Sequence, residues 1–309
     1  MYTKIPTAGM ERTEWLKLRK TGIGGSDMAA VCGLNPYSSA MSVYIDKTSD
    51  EIDIEDNESM RVGRDLEEYV ARRFTEETGF KVRRSNYMYR SKAHPFMIAD
   101  IDRFLVGCDA GLECKTANAY NADLWKDDET PIHYYLQCMS YLAVTGKKEW
   151  YIAVLIMGHG FKYRKIERDE DLIRNLIILA ERFWYDHVIP RVMPDPDGSK
   201  ACDEVLAQYF SKSKKNTILL TGFDEQLRRR EELNQLINRM ETEKKQIEQS
   251  IKLYMGENEI AQNDMYRVSW SNVESSRLDT KLLKEEHPDI YQEYLILSTT
   301  RRFTVKVAA

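Results

Sequence analysis

The sequence predicts an α/β protein of the α+β kind, a sheet flanked by helices, followed by a helical C-terminal extension. Three observations carry that prediction. The apolar spacing is helical before residue 80, alternates over 80–116, and becomes helical again beyond Pro131. The run EWYIAVLIM reads as a buried strand between two helical stretches. The composition then shifts at PRVMPDPDGSK, where three Pro and one Gly fall within residues 190–200 and a charge-dense segment follows.

The elements follow in chain order. In ERTEWLKLRK, Trp15, Leu16 and Arg19 fall at helical spacing, and the glycine-rich TGIGGSD ends that helix. A second helix starts at Ser26 or Asp27, either of which can cap the free backbone N–H groups, and it stops at Gly33 before Pro36. Residues 60–78 place Leu66, Val70 and Phe74 four apart, an amphipathic helix. Over 80–116, Val82, Tyr87, Tyr89, FMIADIDRFLV and AGLECKTA read as three or four antiparallel strands. IHYYLQCMSYLAVTG is a helix closing at Gly146. EWYIAVLIM and FKYRKI form a hairpin around Gly158 and Gly160, and DEDLIRNLIILAERFWYDHVI is a long helix. The main domain therefore spans 1–198 and the extension 199–309. In the extension, Leu233, Ile237, Met240, Ile247, Ile251 and Tyr254 make a 3-4 seam over a helix at 223–255, interrupted by Lys244. Two closing strands, around Tyr266, Val268 and Trp270 and around Phe303, Val305 and Val307, flank a short helix at 279–286.

Composition bounds the function. The chain has 309 residues, 42% hydrophobic and 31% charged, with 8 Pro and 15 Gly. That excludes a disordered or low-complexity protein and provides for a real core. No apolar run approaches the roughly 18 residues of a membrane span, and residues 1–20 lack the apolar centre of a signal peptide. A soluble, cytoplasmic protein is expected. The five Cys (Cys32, Cys108, Cys114, Cys138, Cys202) never form C-x-x-C and read as small hydrophobes. His94, His133, His159, His187 and His287 show no metal-ligand spacing and read as surface or loop residues. A net charge of −5 is unlike a simple electrostatic nucleic-acid binder. A nuclease is compatible with it, because carboxylates gather at a metal site while basic residues line one groove.

The chemistry concentrates in IADIDRFLVGCDAGLECKTA. With the turn centred between Gly107 and Cys108, antiparallel pairing sets Asp102 opposite Glu113. Two facing carboxylates repel unless a cation lies between them, and oxygen donors suit Mg2+ or Mn2+. Lys115, two residues on, shares the face of Glu113. This set serves phosphodiester hydrolysis: the metal polarises phosphate and acidifies water, and the lysine positions or activates that water. The bland alternative is a solvated hairpin face carrying a Glu-Lys pair.

Five ordered motifs then carry a resemblance: W-L-x-x-R-x-x-G-I-G-G-S-D (Trp15 to Asp27), G-R-x-L-E (Gly63 to Glu67), I-D-R (Ile101 to Arg103), L-E-C-K-T (Leu112 to Thr116) and Y-x-x-Q (Tyr134 to Gln137). Together they resemble the YqaJ viral recombinase family, which groups with lambda exonuclease in the PD-(D/E)xK nuclease superfamily. The resemblance is densest over residues 11–165, and the ending with DTKLLKEEHPDIYQEY and RRFTVK also looks phage-type. It implies a restriction-endonuclease-like core with a central mixed sheet flanked by helices. It implies Asp102, Glu113, Glu67 and the Cys114 carbonyl around the metal, with Lys115 as catalytic lysine. For Glu67 the alternatives are a solvated helix residue or neighbouring Glu68. Gln137 would face the scissile region, its alternative being a surface amide. Arg19 and Ser26 would form the pocket for a 5′-terminal phosphate. Asp100 departs from the family pattern, where Asn is more usual; its two readings are tighter metal binding and added charge behind the metal ligands, the second being favoured.

The function so implied is a 5′-to-3′ exonuclease on double-stranded DNA ends, leaving 3′ single strands for recombination in a bacterial cell. The enzyme would be encoded by a phage or prophage and would work with a single-strand annealing protein (RecT-like). A homo-oligomer is expected, a ring of three subunits being the form of the better-known relative. The competing readings are an endonuclease of the same superfamily and an inert DNA-end-binding or assembly module.

Overall fold

The computed structural model describes residues 2–50, 57–126, 129–298 and 300–306. The chain divides into two compact units, Met1–Ser211 and Lys212–Ala309. The first unit runs β1 (Tyr2–Pro6), α1 (Arg12–Lys20), α2 (Gly25–Val31), α3 (Ala40–Thr48), α4 (Glu58–Thr78), β2 (Val82–Arg84), β3 (Tyr87–Ser91), β4 (Ile98–Asp100), β5 (Arg103–Leu105) and β6 (Ala110–Ala117). It continues through α5 (Ile132–Thr145), β7 (Glu149–Ile156), β8 (Gly160–Glu167), α6 (Glu170–Phe183) and α7 (Lys200–Tyr209).

The central sheet has the order β2-β5-β6-β7-β8. Its β6 and β7 are parallel and the remaining pairs antiparallel, so the sheet is mixed. The segment over 80–116 holds five strands rather than three or four antiparallel ones. Two of them, β3 and β4, leave the central sheet and join β1 in a separate antiparallel sheet. The parallel pair follows from α5, which supplies the crossover that two parallel neighbours require.

Alternation along β7 shows what the sheet separates. Trp150, Ile152, Val154 and Ile156 face one core with Leu136, Met139 and Leu142 of α5. Tyr151 and Ala153 face another with Val70, Ala71 and Phe74 of α4. Both faces of β7 are therefore dry, which is why EWYIAVLIM reads as continuously apolar. On β6 the same alternation sends Leu112 toward α4 and leaves Glu113 and Lys115 on the α5 side. Carboxylate and ammonium are thus carried into a buried layer by strand register alone.

Local chemistry fixes the ends. Asn57 Oδ1 caps α4 by accepting from Met60 N at 2.9 Å, and Asp169 caps α6 through Leu172 N at 2.9 Å. For α2, neither Ser26 nor Asp27 is the cap. The helix begins at Gly25, and the Asp27 carboxylate reaches back to Gly24 N at 2.9 Å.

Two further differences concern the extension. The boundary lies at Ser211 rather than 198, because α7 packs on α3 through buried Ala201 and Cys202. In the second unit, the helix α8 (Asp224–Met255) keeps its seam residues Leu233, Ile237 and Met240 exposed. There β9 (Ile260–Gln262) pairs with β10 (Arg267–Ser269), ahead of α9 (Thr280–Glu286) and α10 (Pro288–Glu293). The strand at Val268 finds its partner across the adjacent turn, where Asn263 Oδ1 accepts from Met265 N and Tyr266 N. No strand forms at Phe303 and Val305, and Val307 lies outside the described residues.

Candidate active site

The β5–β6 hairpin builds the centre of the site. Gly107 takes φ +78° in its turn, a conformation that favours glycine, and the ladder pairs Arg103 with Leu112 and Phe104 with Gly111. The next step of that register sets Asp102 across from Glu113. Asp102 Oδ2 accepts from Cys114 N at 2.7 Å, which turns the aspartate toward β6. A residue's N–H and C=O project to the same side of a strand, so the Cys114 carbonyl also faces Asp102.

Glu113 is buried, and its two oxygens differ. Oε1 receives Lys115 Nζ at 2.7 Å and Gln137 Nε2 at 2.6 Å. Oε2 is buried with no hydrogen-bond partner. Burial, followed by the charges of Glu113 and Glu67, raises the Asp102 carboxyl well above its usual range. Burial alone would lower the Lys115 ammonium, yet the Glu113 carboxylate raises it and holds it protonated. A pair of crowded carboxylates with one orphaned oxygen is a site short of positive charge. The residues that could hold a divalent cation are Asp102, Glu113 and the Cys114 carbonyl, all oxygen donors of the kind Mg2+ takes, with water completing the shell. Among the described residues no three His, Cys, Asp or Glu side chains form a ready metal cage.

Glu67, from α4, lines a cavity together with Asp100, Asp102 and Trp15; of the centre described above, only Asp102 reaches it. Its Oε1 accepts from Arg103 Nη1, while Arg103 Nη2 donates to the largely exposed Glu68 at 2.8 Å. Arg103 itself is 3% exposed. The structure therefore gives Glu67 an arginine partner rather than seating it on the Asp102–Glu113 pair, and it gives Glu68 to the same guanidinium. Asp100, at the end of β4, is raised by burial and bonded by the Trp15 side chain.

Gln137 is 5% exposed, so it is not a surface amide. Its Nε2 bridges Glu113 and Tyr141 Oη, the latter at 2.8 Å. Arg19 and Ser26 do meet: Arg19 Nη2 lies 3.0 Å from Ser26 Oγ, with the guanidinium 5.1 Å from the Trp15 ring centre. Asp27 braces this loop through buried Lys47 Nζ at 2.7 Å. Although burial would raise it, the Asp27 carboxyl is held low by Lys47 and Arg19. Gly25 must be glycine, because a Cβ there would come within 2.5 Å of the Tyr141 ring and 3.1 Å of the Gln137 carbonyl. That close approach locks the Arg19–Ser26 loop to the helix carrying Gln137.

Four supporting residues escaped the sequence. Arg103 sits in I-D-R, but nothing in the motif says that its side chain is buried on two glutamates. Lys47 lies on a helix the periodicity did not reveal. Tyr141 shares the i, i+4 face of Gln137, which was the available signal. His133, expected at the surface, is 9% exposed with Nε2 buried and unpaired.

Comparison with known proteins agrees with the motifs. Residues 14–148 match the YqaJ-like viral recombinase domain. The chain is 37% identical over 303 residues to the uncharacterized protein YqaJ of Bacillus subtilis (strain 168), covering 96% of this chain and 95% of that protein. Among solved structures it is similar to the alkaline exonuclease LHK-Exo from Laribacter hongkongensis, with 20% identity, a TM-score of 0.48 and coverage of 56% of this chain and 91% of that one. It is also similar to a phage related exonuclease from Haemophilus somnus 129PT, with 13% identity, a TM-score of 0.42 and coverage of 56% and 97%. On the extent and identity of the Bacillus match, the chain belongs to the YqaJ-like viral recombinase family.

Proposed function

We propose that the chain is a metal-dependent nuclease that degrades double-stranded DNA from its ends in the 5′-to-3′ direction, leaving 3′ single strands for annealing and recombination. The observation that carries this reading is the unpaired, buried Glu113 Oε2 beside Asp102, with a protonated lysine on the neighbouring oxygen. A bound Mg2+, for which Mn2+ would substitute, supplies Lewis-acid polarisation of the phosphate and a water of lowered pKa.

The chain's own residues do the rest. Asp102, Glu113 and the Cys114 carbonyl would hold the cation, and Gln137 fixes the Glu113 rotamer. Lys115, kept as ammonium by Glu113, donates to the attacking water or to a phosphoryl oxygen and balances charge as it develops there. Glu67, oriented by Arg103, faces the cavity, where its second oxygen could accept a hydrogen bond from the attacking water. Arg19 and Ser26 take the terminal 5′ phosphate, a charge-assisted contact that fixes the distance from the strand end to the bond cut. The family's description as viral recombinases supports the recombination role. With that role we propose a single-strand annealing protein (RecT-like) as partner, a ring of subunits on DNA, and a phage or prophage gene acting in the bacterial cytoplasm.

The test is digestion of linear duplex DNA labelled separately at each end, in Mg2+, beside closed circular DNA and the Lys115→Ala variant. Loss of 5′ label from linear DNA only, absent in the variant and in chelator, is the expected result. Cutting of circles would make the chain an endonuclease, and end binding without cleavage would make it an assembly module.

A further inference from the structure

Lys115 adjoins an aromatic cluster that the proposed reaction does not use. Lys115 Nζ stands 4.9 Å from the centre of the Tyr134 ring. Tyr134 lies between Trp125, stacked at 5.7 Å, and His133 at 4.0 Å. Tyr37 meets His133 edge to face at 5.8 Å. Trp125 is 1% exposed and His133 9%, whereas Tyr37 is 63% exposed. The cluster therefore runs from Lys115 through the half-buried Tyr134 and buried His133 to one solvent-exposed ring, Tyr37.

That ring is presented rather than merely left out. Gly33 turns the chain with φ +69° after α2, Asn35 Oδ1 accepts from Tyr37 N at 2.9 Å, Pro36 removes a backbone freedom, and Ser39 caps α3 through Ser42 N at 3.1 Å. Beneath Tyr37, His133 shares one stripe of α5 with Gln137, four residues on. Its Nε2 has no hydrogen-bond partner, so ring packing alone holds the imidazole against Tyr37. The same helix face thus fixes Glu113 at one turn and the exposed aromatic at the previous one.

We infer that Tyr37 is the stacking face for the nucleobase of the terminal nucleotide of the strand being cut, an inference that rests on the nuclease reading above. A terminal base pair must open for its phosphodiester to reach a buried carboxylate pair, and an unpaired base needs a surface to replace its lost stacking neighbour. An aromatic ring serves any base, because every base has a π-face. The subsite is accordingly indifferent to base identity.

The test is equilibrium binding of the full chain carrying Lys115→Ala, which should not cut, to duplexes whose 5′-terminal nucleotide bears a base or is abasic, with wild-type digestion run in parallel. The base-bearing end should bind about ten-fold tighter. Adding Tyr37→Ala or Tyr37→Leu should bring that ratio to about one, while Tyr37→Phe should keep it. Tyr37→Leu still covers His133, so a purely structural role for the ring predicts that leucine preserves the ratio, and that result would overturn the inference. A ratio of one in the Lys115→Ala parent, or one unchanged by Tyr37→Ala, would also overturn it while wild-type cleavage leaves the nuclease reading intact. Absence of wild-type cleavage would overturn the nuclease reading itself, and the stacking role with it.

Discussion

Gln137 and Lys115 crowd the same oxygen of Glu113, at 2.6 and 2.7 Å, and leave the other oxygen buried with no partner. The asymmetry has a use: one oxygen is anchored by neutral and cationic donors, so the other is aimed. Because Gln137 acts through Glu113, Gln137→Ala should weaken the apparent Mg2+ affinity of cleavage by about 10–100-fold, with the rate largely recovered at high Mg2+. A metal titration of the cleavage rate checks this. A rate that stays low at saturating metal would instead place Gln137 on the DNA.

Crowded carboxylates also make a statement about stability. Asp102 is raised by burial and by Glu113 and Glu67. A group with a raised folded-state pKa contributes stability below its unfolded value, and that contribution is lost as pH rises through the folded value. Metal-free protein should therefore be penalised by this cluster at neutral and higher pH, where a divalent cation takes the place of the proton. The gain in melting temperature on adding Mg2+ to chelated protein should grow from pH 5 to pH 8. Differential scanning with and without Mg2+ separates this from Asp27, whose lowered carboxyl contributes stability that is lost on acidification whether or not metal is present. A metal-induced shift that is equal at both pH values would be inconsistent with a cation at Asp102.

Arg103, on β5 inside the central sheet, holds the α4 carboxylates against it. Its side chain is 3% exposed, and Glu67, at 23%, depends on it more than Glu68, at 80%. Arg103→Ala should destabilise the fold by about 3 kcal/mol, at the lower end for breaking a buried pair because Glu67 retains some water. That corresponds to a melting point lower by about 6–12 °C. Glu67→Gln keeps an acceptor for Arg103 Nη1 and leaves Glu68 on Nη2, so it should lower the melting point by less than Arg103→Ala, and it should reduce cleavage. Equal loss of stability in both variants would make Glu67 a structural residue.

What was legible in the sequence, and what was not, divides along a physical line. The Asp102–Glu113 register could be read because strand pairing around a short turn is set by counting, and β5 pairs with β6 in the register so obtained. The mixed character of the central sheet could not be read from periodicity, since a parallel partner leaves no local trace in the strand it pairs with. It depends instead on where α5 returns the chain. The strand β1 leaves no apolar pattern because its residues are half-buried or exposed, and α3 leaves no clear stripe because its buried positions Met41, Val43, Tyr44 and Lys47 include a lysine. The fate of long polar side chains was the least accessible: whether Gln137, Arg103 or His133 points inward is decided by neighbours far away in the chain.

The end-recognition loop gives the last prediction. Arg19 reaches Ser26 at 3.0 Å, with Asp27 and buried Lys47 behind it and Gly25 pressed onto Tyr141. The guanidinium is 30% exposed on its side chain, enough to meet a ligand while the loop stays braced. A charge-assisted bond to a phosphate is worth about 1.5–3 kcal/mol. Arg19→Ala should therefore reduce the preference for 5′-phosphorylated over 5′-hydroxyl ends by about 10–100-fold, and should leave cleavage of hydroxyl ends close to its starting rate. Competition between the two duplexes in one reaction reads that ratio directly. Equal loss on both ends would mean that Arg19 braces the loop through Ser26 and Asp27 without touching the phosphate.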